Sequence, residues 1–237
     1  MSAERILLWR HGRTGHNHEG RFQGQLDAPL DDVGRQQVAD AVEVLAGLVN
    51  AAPPVRIVSS DLSRASESAA ALGVRLGVPV ELDVALRETY SGRWEGLLTQ
   101  EIMAAWPEDY AAWRRGEDVR IGGGESRSEV AARAAAAIER HDAVQDGGTL
   151  MVVSHGGALR GGTLQLLGLT PSAWPAMAAL RNAHWAELRR RGSSWQLHSW
   201  NVGVPWWVEA EARGLEVVAE APRSAEAPAP SPDGQAL

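Results

Sequence analysis

The stretch RILLWRHGRTGHN at residues 5–17 joins an apolar strand pattern directly to a polar loop that contains glycine. Four short runs rich in β-branched residues or leucine, of which this strand is the first, are typical of strands buried inside a sheet. Between them, apolar residues recur at helical spacing. The predicted strands are residues 5–9, 55–59, 78–82 and 149–154, and the predicted helices are residues 33–49, 61–76 and 127–144. Strands that alternate with helices predict a mostly parallel sheet with helices on both faces, which is a three-layer α/β sandwich.

The last part of the chain departs from this alternation. Residues 183–190 and 195–200 alternate like half-exposed strands around a turn signal at 191–193. This pattern predicts a hairpin that closes one side of the sheet and supplies one antiparallel edge strand. From residue 219 the sequence is rich in proline and alanine and shows no periodicity. We therefore predict one domain over residues 1–218 and a disordered tail over residues 219–237.

Composition excludes several classes of protein. The chain has 237 residues and a net charge of −7, and all 23 of its basic residues are arginine because it contains no lysine. P-loop and Schiff-base mechanisms both need a lysine and are therefore excluded. The absence of cysteine excludes disulfides, iron–sulfur clusters and thiol nucleophiles. An acidic chain is poorly suited to nucleic acid, and no apolar run is long enough for a signal peptide or a membrane span. We expect a cytoplasmic protein that binds neither nucleic acid nor membrane.

Polar residues follow each predicted parallel strand. In an open α/β sheet, ligands bind beyond the carboxyl ends of the strands, so these residues are expected to meet. They are Arg10 and His11 after the first strand, Arg64 after the second, Glu88 after the third and His155 after the fourth. Because the planar guanidinium group of arginine matches phosphate oxygens in pairs, the set predicts a phosphate site.

The same set contains the groups that phosphoryl transfer requires. An imidazole fixed at a strand end can attack phosphorus and form a phosphohistidine, and we assign this role to His11. The nearby guanidinium charges are expected to lower the pKa of His11 and keep it neutral. Glu88 is then the acid that protonates the leaving alcohol and the base that activates water. His155 is expected to donate to the phosphoryl oxygens, where charge accumulates in the transition state.

These residues also carry a family resemblance. Five segments occur in the order that is typical of the histidine phosphatase superfamily, also called the phosphoglycerate mutase-like family. They are LLWRHGRTGHN (7–17), RFQGQLDAPLDDVGRQQ (21–37), RIVSSDLSRASESA (56–69), LRETYSGRWEGL (86–97) and TLMVVSHGGAL (149–159). The resemblance implies the phosphoglycerate mutase-like fold and phosphoryl transfer at His11 without a metal or cofactor. It also implies that Asn17 and Gln23 approach the phosphoryl group.

Further features narrow the activity within the family. Its mutases use a lysine and an arginine pair in an insertion after the acid/base glutamate, and a chain without lysine therefore favours a phosphatase. Three later segments resemble the actinobacterial phosphatases that act on glucosyl-3-phosphoglycerate, namely GGGESRSEVAAR (122–133), RNAHW (181–185) and WQLHSWN (195–201). That resemblance implies a small phosphorylated metabolite, a phosphoglycerate whose carboxylate could meet Arg13 or Arg127. The alternative interpretation of both arginines is that they are solvated charges of a helix or loop. The alanine- and arginine-rich composition fits an actinobacterial source.

Several interpretations stay open on sequence alone. A broad-specificity or α-ribazole-type phosphatase, a mutase and a non-catalytic phospho-ligand sensor are the alternatives. A metal cluster at His11, His16 and His18 is disfavoured because no carboxylate lies at ligand spacing. One tryptophan of the segment expected to overhang the site could contact substrate, the candidates being Trp94, Trp106 and Trp113. The scattered tryptophans also leave a homodimer open.

Overall fold

A six-stranded sheet forms the centre of the computed structural model, which describes residues 2–50 and 52–204. Its strands are β1 (Arg5–Arg10), β2 (Val55–Ser59), β3 (Val80–Leu82), β4 (Thr149–Ser154), β5 (Trp185–Arg191) and β6 (Ser194–Val202). Their spatial order is β3-β2-β4-β1-β5-β6. The strands β1 to β4 pair in parallel, and β5 pairs antiparallel with both β1 and β6. The predicted mostly parallel sheet is confirmed.

Helices cover both faces of this sheet, as the continuous apolar strands require. The helices are α1 (Gly15–Glu19), α2 (Asp32–Asn50), α3 (Ser63–Leu76), α4 (Thr99–Ala105), α5 (Pro107–Arg115), α6 (Arg127–Ala143) and α7 (Gly156–Leu166). Alternate residues of β1 point to opposite faces: Leu7 and Trp9 pack in the core with α2 and α3, whereas Ile6 and Leu8 pack with α6 and α7. The three predicted helices correspond to α2, α3 and α6.

Small residues let α6 and α7 approach closely. A Cβ atom added at Gly161 of α7 would lie 3.1 Å from Ala131 of α6, and one at Gly162 would lie 3.2 Å from Ala134. Larger side chains at these positions would push the two helices apart. The contact therefore helps to fix the place at which the first turn of α7 meets the end of β4.

Two edges differ in detail from the sequence-based prediction. The strand β3 begins at Val80 rather than at residue 78, because Gly77 ends α3 in the left-handed conformation (φ 68°) and Pro79 has no N–H to donate to a ladder. In the hairpin, the antiparallel strand is β5, which lies next to β1, and its return strand β6 forms the edge.

The remaining predictions about chain organisation concern membrane spans and the tail. No helix among the described residues is both long and apolar enough to cross a membrane. Residues 219–237, where we predict a tail, lie outside the described residues.

Candidate active site

The predicted site residues meet at one edge of the sheet. Six of the seven line a single cavity of about 260 Å³: Arg10, His11, Asn17, Gln23, Arg64 and Glu88. The seventh, His155, is fully buried behind this surface, and its ring packs edge to face against His11 with 5.1 Å between the ring centroids. The parallel strands thus bring together residues that are up to 145 positions apart in the sequence.

His11 is held as a neutral imidazole. Its side chain is 2% exposed, and its Nδ1 lies 2.6 Å from the carbonyl oxygen of Gly12. Because a carbonyl only accepts, Nδ1 carries the proton and Nε2 keeps its lone pair. Burial and the positive charges of Arg64 and Arg10 hold the pKa of His11 well below its usual value. The imidazole is therefore unprotonated and able to attack at neutral pH.

Arg64 connects the cavity to His155. Its guanidinium group is fully buried and donates to the carbonyl oxygens of Leu26 and Gly24, at 2.7 and 2.8 Å. Its Nε donates to Nδ1 of His155 at 3.2 Å. Burial lowers the pKa of Arg64 to about 10, which still leaves the group charged at neutral pH.

His155 therefore has its proton on Nε2, which donates to Ser60 Oγ at 2.8 Å. Burial, followed by the charge of Arg64, holds the pKa of His155 well below its usual value. Both ring nitrogens are engaged, so a bond from His155 to a phosphoryl oxygen requires the exchange of one of these partners. The donor role assigned from the sequence stays a prediction.

Arg10 presents an unsatisfied donor to the cavity. Its Nη1 donates to the carbonyl oxygen of Leu180 at 2.6 Å, but its Nε is buried with no hydrogen-bond partner. A buried donor left unpaired costs about 1–3 kcal/mol, which an anion bound there would recover. Together with the charged Arg64, this orphaned N–H marks the inner end of the cavity as an anion site.

The two amides predicted from the family resemblance also face the cavity. Asn17 Oδ1 accepts from the backbone N–H of Thr14 at 3.3 Å and from Nδ2 of Asn182 at 3.0 Å. Gln23 Oε1 accepts from the Thr14 hydroxyl at 2.8 Å. Because the oxygens are held by donors, the NH₂ groups of Asn17 and Gln23 are left to donate into the cavity.

Glu88 lies against the first turn of α7. Its two carboxylate oxygens accept from the backbone N–H groups of Gly157 and Ala158, at 3.0 Å each, and one of them also accepts from Thr89 N at 2.8 Å. A Cβ atom at Gly157 would lie 2.5 Å from Glu88 Oε1, so only glycine leaves room for the carboxylate there. The N-terminus of a helix favours an anion, which fixes this carboxylate at the cavity wall.

Arg133 holds the segment that carries Glu88. This side chain of α6 donates from Nη1 to the carbonyl oxygens of Ala85 and Arg87, at 2.9 Å each. Its Nη2 donates to the Glu88 carbonyl oxygen at 3.3 Å. Two further bonds, of 2.8 and 2.7 Å, join its guanidinium group to both carboxylate oxygens of Glu125. Arg133 is therefore a positioning residue for Glu88, and sequence reasoning missed it.

Glu95, within the segment LRETYSGRWEGL, supports the other side of the cavity. Its Oε1 accepts from the backbone N–H groups of Gln25 and Ser91, at 2.8 and 3.1 Å. These bonds hold the loop whose Gly24 and Leu26 carbonyl oxygens bind Arg64. Glu95 therefore helps to fix the position of Arg64 through this loop.

Comparison with known proteins agrees with this geometry. The family model described as "Histidine phosphatase superfamily (branch 1)" matches residues 6–203. The chain belongs to the histidine phosphatase superfamily. It is 40% identical to the glucosyl-3-phosphoglycerate phosphatase of Mycolicibacterium vanbaalenii over 224 residues, which covers 86% of this chain and 97% of that protein. It is 34% identical to the metal-independent phosphoserine phosphatase of Arabidopsis thaliana over 199 residues, covering 83% and 80%.

A solved structure of a superfamily member gives the same result. The complex of mycobacterial glucosyl-3-phosphoglycerate phosphatase with VO3 superposes with a TM-score of 0.79 at 38% identity, covering 84% of this chain and 100% of that one. The predicted family, fold and enzyme class, a phosphatase of this superfamily, are confirmed.

The structure also separates the candidate residues that sequence reasoning left open. Arg13 donates to Asp31 Oδ2 at 2.8 Å and does not line the cavity, whereas Arg127 does. Of the three candidate tryptophans, Trp113 lines the cavity, whereas Trp94 and Trp106 do not. Trp94 is fully buried, and its ring centroid lies 6.2 Å from that of Trp113. Arg160 was missed, although it follows Gly157 by three residues and therefore lies on the same face of α7.

Metal-ligating side chains do not cluster in this part of the molecule. Within residues 2–50 and 52–204, no group of three or more histidine, aspartate or glutamate side chains could hold a metal ion.

Replacing Arg133 with methionine is expected to lower kcat by about 10- to 100-fold, because a displacement of about 1 Å at an acid/base group costs a rate factor of that order. The loss in kcat/KM should be larger for an alkyl phosphate, whose leaving oxygen must be protonated, than for p-nitrophenyl phosphate. Steady-state kinetics on the two substrates measures both effects. Arg140→Met is the matched control, because Arg140 lies on the same helix and is exposed, where it pairs with Asp83 at 3.0 Å. Equal losses in the two variants would contradict the positioning role.

Proposed function

We propose that this member of the superfamily hydrolyses glucosyl-3-phosphoglycerate to glucosylglycerate and inorganic phosphate. The main support is the identity of 40% to a phosphatase of that name over 97% of the relative's length. The cavity provides independent support, because Trp113, Trp174 and further arginines line it together with the phosphate-binding residues. A cavity that combines an anion site with aromatic walls suits a phosphate ester that carries a sugar.

In the first half of the reaction, the phosphate group binds between Arg10 and Arg64, with Asn17 and Gln23 donating to its oxygens. Nε2 of His11 attacks phosphorus in line with the ester oxygen. A P–N bond forms as the P–O bond breaks, and protonated Glu88 gives its proton to the departing oxygen. The alcohol leaves, and His11 remains phosphorylated.

In the second half, water attacks the phosphohistidine. Glu88, now a carboxylate, accepts a proton from that water, while the P–N bond breaks and its electron pair returns to Nε2. Inorganic phosphate leaves and Glu88 is again protonated. The charges of Arg10 and Arg64 stabilise the phosphoryl group in both transition states.

We also infer a cytoplasmic location and an actinobacterial source. The absence of cysteine suits a reducing compartment, and glucosyl-3-phosphoglycerate phosphatases of mycobacteria are among the relatives.

Phosphate release from a panel of esters tests the proposed substrate. The panel contains glucosyl-3-phosphoglycerate, mannosyl-3-phosphoglycerate, 3-phosphoglycerate, α-ribazole phosphate and p-nitrophenyl phosphate, all assayed with EDTA. We expect kcat/KM for the glucosyl compound to exceed the others by about a hundredfold, or about 2.7 kcal/mol of transition-state discrimination. Similar low values for every ester would support a broad-specificity phosphatase instead.

A further inference from the structure

Two arginines that line the cavity have no acidic partner among the described residues. Arg127 is the first residue of α6, Arg160 lies on α7, and both line the cavity. Among the described residues, neither forms a salt bridge with a carboxylate. By contrast, Arg13 pairs with Asp31 and Arg133 pairs with Glu125. Two unpaired guanidinium groups at one wall indicate a place where an anion from outside the protein binds.

The contacts of Arg160 leave a buried donor without a partner. Its Nη2 donates to the carbonyl oxygen of Trp174, but its Nε is buried with no hydrogen-bond partner. This is the same condition as that of Arg10 Nε at the phosphate end of the cavity. In both places a bound anion would satisfy an N–H group that the chain itself leaves unpaired.

Arg127 is held in place by neutral groups. Its guanidinium donates to the carbonyl oxygens of Trp113 and Glu117, at 2.6 and 3.2 Å, and its Cζ lies 5.3 Å from the centroid of the Trp113 ring. Burial and the charge of Arg160 lower the pKa of Arg127, and Asp118 acts in the opposite direction. The two cations therefore lie close enough to repel each other, and an anion between them would relieve that repulsion.

The carboxylates that line the same cavity are already bound elsewhere. Glu125 accepts from Arg133 with both oxygens and from the backbone N–H of Tyr90. Glu88 accepts from the first turn of α7. Neither carboxylate pairs with Arg127 or Arg160.

Arg160 lies three residues after Gly157, whose N–H binds Glu88, and therefore on the same face of α7. Arg127 and Arg160 line the same cavity as His11. A single small metabolite in this cavity can therefore place its phosphate at His11 and its carboxylate at the two arginines.

We propose that Arg127 and Arg160 form a carboxylate subsite, which selects phosphate esters that carry a carboxylate near the phosphate group. The subsite deepens the proposed function and rests on it for the orientation of the substrate, with the phosphate at His11. Arg160 supplies the unpaired Nε–H, and Arg127 supplies a second charge whose position is fixed by the Trp113 ring.

Calorimetric titration with 3-phosphoglycerate and glycerol 3-phosphate tests the subsite, since these esters differ only in a carboxylate against a hydroxymethyl group. A His11→Ala parent is used so that neither ester is turned over during the titration. We expect the parent to bind 3-phosphoglycerate at least about tenfold more tightly, as charge-assisted pairing predicts. Adding Arg160→Gln or Arg127→Gln should reduce this ratio to about threefold or less. Adding Arg13→Gln should leave it unchanged, because Arg13 pairs with Asp31 and lies outside the cavity.

The subsite would be overturned by equal affinities for the two esters in the parent or by no binding of either ester. An affinity ratio that stays unchanged after both arginine substitutions would also overturn it. The thermal midpoint of each variant confirms that it is folded, and two separate substitutions guard against one that is not. The wild-type activity panel reports on the proposed function independently. If the protein hydrolyses the glucosyl ester but does not prefer 3-phosphoglycerate in the titration, the proposed function holds without this subsite. If it prefers 3-phosphoglycerate but does not hydrolyse the glucosyl ester, the subsite exists without the proposed function.

Discussion

Replacing His11 with alanine is expected to lower kcat for any phosphate ester by at least about 10⁴-fold, because removal of a nucleophile leaves only binding and charge stabilisation to promote the reaction. His11 is the imidazole whose Nε2 keeps a lone pair at the cavity wall, since Nδ1 donates to Gly12. Rapid-quench measurement with a ³²P-labelled ester should find an acid-labile, base-stable phosphoprotein in the wild type and none in the variant. The phosphate should be on Nε2, which ³¹P NMR distinguishes from Nδ1.

His18→Ala is the matched control for this experiment. His18 is exposed, and its Nδ1 lies 3.5 Å from Nη1 of Arg13, outside the cavity. Its kcat should stay within about twofold of the wild type, as for most surface substitutions. A His11→Ala protein that retains more than about a tenth of the wild-type kcat, or that still becomes labelled, would rule out the phosphohistidine mechanism.

The fold is accessible from the sequence because its strands are buried on both faces. A fully buried strand such as β4 reads as an unbroken apolar run, and its predicted and observed bounds agree. For β1 the same pattern predicts an end at residue 9, one residue too early. Arg10 interrupts the apolar run, although it still pairs with Ser154 in the ladder. That extra residue matters for function, since its place in the ladder fixes the direction in which the Arg10 side chain points.

The inner site could be predicted for a topological reason. Parallel strands end at a common edge, so the residues that follow them meet whatever their separation in sequence. Side chains that approach from elsewhere carry no such signal. Arg133 acts through backbone carbonyl oxygens, which any sequence supplies. Trp174 is held by a bond from Arg160 to its carbonyl oxygen and by packing against Ala131 and Leu164. The predicted contact of His155 with phosphate also depends on the hydrogen-bond partners of its ring nitrogens. These partners cannot be predicted from a pattern of residue types.

Replacing Glu88 with glutamine is expected to lower kcat/KM for an alkyl phosphate by about 10²- to 10⁴-fold, the usual range for loss of a general acid. The effect on kcat/KM for p-nitrophenyl phosphate should be much smaller, because nitrophenolate leaves without a proton. The kcat for both esters should fall, since hydrolysis of the phosphohistidine needs Glu88 as a base whichever alcohol has left. A burst of nitrophenol followed by a slow steady state is the expected time course.

This split separates a chemical role for Glu88 from a structural one. The Glu88 carboxylate also accepts from Gly157 and Ala158, so its replacement could disturb the start of α7 and weaken every step alike. Such a disturbance would lower kcat/KM equally for the two esters and give no burst. Glu108→Gln, an exposed change in α5, controls for the loss of one negative charge. If kcat/KM of the Glu88→Gln variant falls equally for both esters, Glu88 acts only as a helix cap and another group must donate the proton. If kcat/KM falls mainly for the alkyl phosphate, Glu88 is the group that protonates the departing oxygen.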